Sequence, residues 1–180
     1  YSEISVGGYH VCGINEEGVS CAGVNDYSQT VVPVDLTKPK MIAAGQHHTC
    51  ALDAKGVQCW GRNDYGQSTV PELTNPRYIA AGVYTSCAID DSGIICWGKN
   101  DKGQANPPSL NSIQQISVGY EAACALSDQS VKCWGNDGWS LVTGIPALSS
   151  PSIVSVGSGF ACALHEKGVA CWGETKSSTA

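Results

Sequence analysis

Cys50-Ala51-Leu52-Asp53-Ala54-Lys55-Gly56-Val57-Gln58-Cys59, followed by Trp60-Gly61, reads as a β-hairpin. Asp53-Ala54-Lys55-Gly56 is a four-residue turn, and Gly56 is free to take a positive φ. Pairing outward from that turn sets Leu52 opposite Val57, Ala51 opposite Gln58 and Cys50 opposite Cys59. Directly opposed residues on antiparallel strands hold their Cβ atoms about 4.5–5.5 Å apart, close enough for two sulfurs to bridge with modest adjustment. The stretch therefore predicts a hairpin clamped at its open end by a disulfide.

The device occurs five times: Cys12 with Cys21, Cys50 with Cys59, Cys87 with Cys96, Cys124 with Cys133 and Cys162 with Cys171. Each pair is nine positions apart, and the first members are spaced 38, 37, 37 and 38 residues. A constant period of that size is the signature of a repeat architecture. Other positions keep phase: Gly7, Gly45, Gly82, Gly119 and Gly157 stand five residues before the first cysteine. Trp60, Trp97, Trp134 and Trp172 follow the second, with Ala22 in the first repeat. An Asn-Asp pair comes next, at Asn25-Asp26, Asn63-Asp64, Asn100-Asp101 and Asn136-Asp137, and three repeats add Gln29, Gln67 and Gln104. A single 37-residue unit cannot bury its own apolar face, so residues 1–180 read as one repeat domain, with repeats at about 2–38, 39–75, 76–112, 113–150 and 151–180.

Within the third repeat, Tyr78-Ile79-Ala80-Ala81-Gly82 is a short strand, and Cys87-Ala88-Ile89 pairs with Ile94-Ile95-Cys96-Trp97-Gly98 around Asp90-Asp91-Ser92-Gly93. Ala105-Asn106-Pro107-Pro108 is extended and suits only an edge. No stretch sustains a helical period. Three strands plus a weak outer fourth, repeated, predict an all-β propeller of five blades.

Ten cysteines in matched pairs indicate an oxidising compartment, secreted, cell-surface or periplasmic. A bridge closing each ten-residue loop contributes about 2.7 kcal/mol by the loop-entropy model. Buried free thiols are the alternative. Zinc is disfavoured because the cysteines lack zinc-knuckle spacing and the four histidines do not follow the repeat. The net charge of −6 and the scattered Lys and Arg weigh against nucleic acid as a partner. No apolar run approaches the ~20 residues of a membrane span. The chain opens at Tyr1 without methionine, as a processed mature chain or an expressed piece does.

The phrase Ile-Ala-Ala-Gly, four residues, Cys-Ala-Leu/Ile, then Gly-Val/Ile-X-Cys-Trp-Gly-X-Asn-Asp-X-Gly-Gln resembles the regulator of chromosome condensation repeat, and its cysteine-bearing form resembles secreted bacterial members of that superfamily. The resemblance covers nearly the whole chain. It implies blades around a central channel, and similar propellers bind a small GTPase or inhibit a β-lactamase. The best-known members have seven blades. Here the fifth repeat stops after Trp172-Gly173 with only Glu174 to Ala180. Closure of five blades into a small ring is the expectation, and an arc of something larger is the alternative.

In each repeat the loop between glycine and first cysteine varies while its scaffold holds phase. It carries Tyr9, His47, Tyr84, Tyr120 and Phe160, an expected aromatic patch on one face suited to a protein partner. Loop packing around the channel is the bland alternative. The Trp residues are expected to pack between blades and the Asn-Asp links to cap turns. His47 and His48 point opposite ways on a strand, and Asp90-Asp91 and Glu16-Glu17 are expected to be solvated hairpin tips. No catalytic constellation, metal site or cofactor motif stands out. The expectation is a non-enzymatic extracytoplasmic module binding a protein. A multivalent glycan-binding lectin is the runner-up, and a hydrolase acting in the channel is third.

Overall fold

The computed structural model describes residues 2–174. The end of the chain from Thr175 to Ala180, on which the short fifth repeat rests, lies outside the described residues. Five three-stranded antiparallel sheets follow one another along the chain. Blade 1 is β1 (Glu3–Val6), β2 (His10–Asn15) and β3 (Gly18–Gly23); blade 2 is β4 (Met41–Ala44), β5 (His48–Leu52) and β6 (Val57–Gly61). Blade 3 is β7 (Tyr78–Ala81), β8 (Thr85–Asp90) and β9 (Gly93–Gly98). Blade 4 is β10 (Ile113–Val118), β11 (Ala122–Ser127) and β12 (Ser130–Gly135), and blade 5 is β13 (Ile153–Val156), β14 (Phe160–His165) and β15 (Gly168–Gly173). No helix among the described residues is long and apolar enough to cross a membrane.

The hairpin register is the expected one: Leu52 faces Val57, Ala51 faces Gln58 and Cys50 faces Cys59. All five cysteine pairs are bridged within their own hairpins. Cys12 joins Cys21, Cys50 joins Cys59, Cys87 joins Cys96, Cys124 joins Cys133 and Cys162 joins Cys171, at Cα separations of 4.0–4.1 Å. No cysteine is free, so the alternative of buried thiols falls. The two ends of a bridge differ in environment, because the second cysteine stands on the outer strand of its blade. Cys12 and Cys124 are buried, whereas their partners Cys21 and Cys133 are half-buried against the seams, and Cys171 on the last blade is exposed. Gly56 takes φ +131° at its turn. The fourth blade has no glycine there, so Asp128 and Gln129 both enter the left-handed region between Ser127 and Ser130. The expected outer fourth strand does not form. The Pro-containing links pair with no strand, since proline offers no N–H to a ladder.

Inner strands β1, β4, β7, β10 and β13 line one shared inner cavity. At its rim Gly8 N–H donates to Gly45 C=O, Gln46 N–H to Gly82 C=O and Val83 N–H to Gly119 C=O, each at 3.1–3.2 Å. A Cβ on Gly82 would collide with the Gly119 carbonyl, which explains the in-phase glycine.

Each seam between consecutive blades is a small apolar core. Between blades 3 and 4, Cys87 and Ile89 pack against Ile116, Val118, Ala123, Ala125 and Trp134. Equivalent clusters join blades 1 and 2, 2 and 3, and 4 and 5. The tryptophans pack between blades as expected, and each indole N–H also latches the preceding link. Trp60 donates to Gln29 C=O, Trp97 to Gln67, Trp134 to Gln104 and Trp172 to Leu141, at 2.8–3.0 Å.

The expected ring closure is not what the structure shows. β5, β8 and β11 are buried at every residue because a neighbour covers both faces of their sheets. In β14 burial alternates, leaving Phe160 and Leu164 exposed. On blade 1, Ile4 is 62% exposed, whereas its counterpart Ile42 is 3% exposed. No apolar cluster among the described residues joins blade 5 to blade 1. The five blades form an arc, and Ala22 stands on its open first face where the other blades carry tryptophan.

Candidate functional site

The loop before β2, β5, β8, β11 and β14 is clamped to the segment after the third strand of its own blade. Val24 N–H donates to Tyr9 C=O, Arg62 to His47, Lys99 to Tyr84, Asn136 to Glu121 and Glu174 to Gly159, at 2.7–2.9 Å. This clamp sets Arg62 beside His47 and Lys99 beside Tyr84. The following link turns through a residue at positive φ: Ser28, Gly66, Gly103 and Ser140. It is held by an Asx side chain: Asn25, Asn63, Asn100 and Asp137 each accept the N–H five residues on, at 2.8–3.0 Å. In the fourth repeat, therefore, Asp137 rather than Asn136 takes the capping position, one residue out from the alignment read in the sequence. Gln29, Gln67 and Gln104 are fully buried beneath, and their side-chain carbonyls accept the N–H of Tyr27, Tyr65 and Lys102. That bond aims the residue two before each glutamine outward. Tyr27, Tyr65 and Lys102 are all exposed there, as is Trp139 at the equivalent position before Leu141.

The result is a ridge of two ring groups, which the Arg62 guanidinium joins. Tyr9 stacks on His47 with centroids 4.7 Å apart, and Tyr27 meets His47 edge-on at 5.1 Å. Tyr65 and Tyr84 are 5.1 Å apart, and Tyr84 and Tyr120 are 6.1 Å apart. Two cations interleave them. The Arg62 guanidinium lies 5.0 Å from the Tyr27 ring and 5.3 Å from Tyr84, and its Nε also donates to Asp64. The Lys99 ammonium lies 5.8 Å from Tyr65, 5.8 Å from Tyr84 and 5.7 Å from Tyr120.

Burial, and then the neighbouring Arg62 charge, hold His47 below the usual imidazole range against the opposing pull of Asp26. At neutral pH it stacks on Tyr9 uncharged. Partial burial pulls Lys99 down, but Asp101, Tyr120 and Glu121 outweigh it and hold the ammonium above its usual range.

Of the five residues proposed from sequence, Tyr9, His47, Tyr84 and Tyr120 share this ridge. Phe160 does not. It lies two residues before Cys162, at the position of His48, and alternation along the strand turns it onto the open face of blade 5. His48, the neighbour of His47, is turned into a seam in the same way, with Nε2 2.9 Å from Ser86 Oγ. Tyr27, Tyr65, Arg62 and Lys99 were not singled out in the sequence, although each pair is in phase with the repeat. Asp90 is no solvated tip: it is buried, and Ser92 and Thr74 bond its carboxylate. Burial raises its pKa, but these bonds outweigh that and hold it below the usual range.

Residues 41–67 and 77–104 match the family model of the regulator of chromosome condensation (RCC1) repeat. No curated protein sequence matches the chain. Among solved structures, the CRINKLY WD40 ectodomain of the Arabidopsis thaliana receptor kinase ACR4 is 27% identical, with a TM-score of 0.79 over 95% of this chain and 71% of that one. The ectodomain of the Physcomitrella patens receptor kinase CR4 is 23% identical, with a TM-score of 0.79 over 94% of this chain. Prp20p of Saccharomyces cerevisiae, described with binding properties to Gsp1p and histones, is 18% identical at a TM-score of 0.78 over 92% of this chain. The chain spans 52% of the moss ectodomain and 56% of the yeast protein. The match of two repeats to the family model supports the RCC1 repeat superfamily, and the solved structures share the propeller fold.

Proposed function

We propose that this chain of RCC1-type repeats is a non-catalytic module that engages a protein partner outside the cytoplasm through the aromatic ridge. The ridge carries the reading. Tyr, Trp and Arg are enriched in the cores and hot spots of protein interfaces. Here the rings brace one another, so little side-chain freedom remains to be lost on binding. The five disulfides favour an oxidising compartment, and the plant neighbours are receptor ectodomains. The yeast protein that shares this fold is described as bound by Kap60, which supports a protein partner. A multivalent lectin would need like pockets in each repeat, whereas equivalent ridge positions hold Tyr27, Tyr65, Lys102 and Trp139.

Replacing Tyr84 or Tyr120 by alanine is expected to weaken a partner captured from extracellular or periplasmic extract by about 1–2 kcal/mol each, a drop of roughly five- to thirtyfold. Phe160→Ala, off the ridge, is expected to leave that affinity unchanged. Surface plasmon resonance on variants with native unfolding midpoints reads both, with a glycan array beside it. Unchanged affinity in the tyrosine variants overturns the assigned face.

A further inference from the structure

The ridge holds one feature that packing alone does not require. The Lys99 ammonium sits among three tyrosine rings at nearly equal distances, 5.7–5.8 Å, all inside the range of cation–π attraction. The rings are inclined to one another, Tyr65 to Tyr84 by 55° and Tyr84 to Tyr120 by 59°, so they enclose the cation as walls rather than as a stack. Two carboxylates complete the enclosure: Asp101 Oδ2 at 3.3 Å and Glu121 Oε1 at 3.6 Å. The Lys99 side chain is only 16% exposed.

We propose that Tyr65, Tyr84, Tyr120, Asp101 and Glu121 form a binding site for an alkylammonium group, which Lys99 occupies as an internal ligand until the lysine side chain of a protein partner displaces it. This rests on the ridge being the binding face and names the chemistry it recognises.

Three observations carry the proposal. The charges do not balance. Two carboxylates meet one ammonium, leaving the cage with one excess negative charge that draws an incoming cation towards it. The Arg62 site beside it is balanced, with the single carboxylate Asp64, and has two ring walls instead of three. The cage also stands without its occupant. Gln104 Nε2 holds Asp101 Oδ1 at 3.1 Å, Asn136 Nδ2 holds Glu121 Oε2 at 2.6 Å, and Tyr84 touches both other rings. Withdrawal of Lys99 breaks its two ion pairs but leaves these hydrogen bonds and ring contacts in place. Finally, the occupant is tethered lightly. Lys99 reaches the cage on a flexible four-carbon stem, and an ammonium is a compact charge with no fixed fork geometry to lose. Exchange of one ammonium for another preserves the cation–π contacts and both charge pairs, so the barrier is the motion of one side chain.

The test vacates the cage. Tetramethylammonium chloride is titrated into the unmodified chain, Lys99→Ser and Lys99→Ser/Tyr84→Ala at constant ionic strength, with heat and tyrosine fluorescence as readouts. Lys99→Ser is expected to bind the probe about tenfold more tightly than the unmodified chain, and Lys99→Ser/Tyr84→Ala to lose that gain. N-acetyl-lysine methylamide is expected to follow the same order. Equal binding by the unmodified chain and a folded Lys99→Ser variant overturns the proposal. If the serine variant shows a lowered unfolding midpoint, Lys99→Gln is judged by the same comparison. Should the cage fail while Tyr84→Ala still weakens a protein partner, the ridge remains the binding face and only its ammonium chemistry falls.

Discussion

Trp134→Ala is expected to destabilise the protein by about 3–5 kcal/mol, the range for removing a large buried aromatic side chain. The ring is 6% exposed in the seam between blades 3 and 4, against Ile116, Val118 and Cys87. Its loss opens a cavity and deprives the Gln104 carbonyl of the indole N–H. The same change at Trp60 is expected to do less. Trp60 is only half-buried, and the Gln29 carbonyl keeps the Thr49 hydroxyl as a second donor at 2.8 Å. Ala123 replaces that hydroxyl in the fourth blade, so Gln104 has no such reserve. Urea unfolding under non-reducing conditions orders the two variants. Equal losses, or a loss below about 1 kcal/mol at Trp134, contradict the seam as the unit of stability.

A second large effect is expected on acidification. Ser86 Oγ donates to Gln67 C=O at 2.8 Å, so it accepts from His48, whose Nε2 carries the proton. The Nδ1 atom is buried without a partner. Protonating it would place a charge in the seam, and burial, followed by the nearby His10 and His47, lowers the His48 pKa from 6.5 to about 3. The unfolded chain takes up that proton below about pH 6.5 and the native chain refuses it. Stability is therefore full above pH 6.5 and falls by about 1.4 kcal/mol per unit as the pH drops towards 3. His48→Gln keeps an N–H donor for Ser86 and removes the titration. Its stability at pH 7 is expected to be lower, with a shallower decline to pH 4.5. His10, lowered first by burial and then by His47, leaves a residual slope. Parallel declines in the two proteins would remove His48 as the acid-sensitive group.

The hairpins were legible because a turn counts residues. Gly56 pins the register, and the register brings Cys50 against Cys59. The same count brings Cys12 against Cys21, Cys124 against Cys133 and Cys162 against Cys171, even where the turn has lost its glycine. The tryptophan contacts were legible because a bulky apolar residue in constant phase must meet the same neighbour each time. Closure was not legible. Strands Thr49–Leu52 and Ala161–Leu164 carry similar residues, and only the presence or absence of a neighbouring blade distinguishes them. The aromatic patch was legible in part. An aromatic residue or histidine occurs in every loop, but distance from the cysteine decides its face. Tyr9, His47 and Tyr84 stand three residues before it and Tyr120 four before, all in the loop ahead of the strand. Phe160 stands two before, which makes it the first residue of β14 rather than part of the loop. Tyr27, Tyr65, Arg62 and Lys99 escaped because they lie in turn-rich links read as caps alone. Their association depends on the backbone clamp between loop and link, which no local motif announces.

The open arc also sets how these five blades come apart. Among the described residues, blades 2, 3 and 4 each have two neighbours, while blades 1 and 5 each have one. Energetically this is a row of five coupled units, in which every internal seam counts once and the ends are under-coupled. Undocking an end blade breaks one seam, whereas releasing blade 3 breaks two. A bridge inside every hairpin keeps its two strands joined while the blade swings away, so the first motion is parting between sheets rather than melting within them. Amide protection accordingly rises from both ends towards β8, and the ammonium cage, built from blades 2, 3 and 4, lies in the span that lets go last.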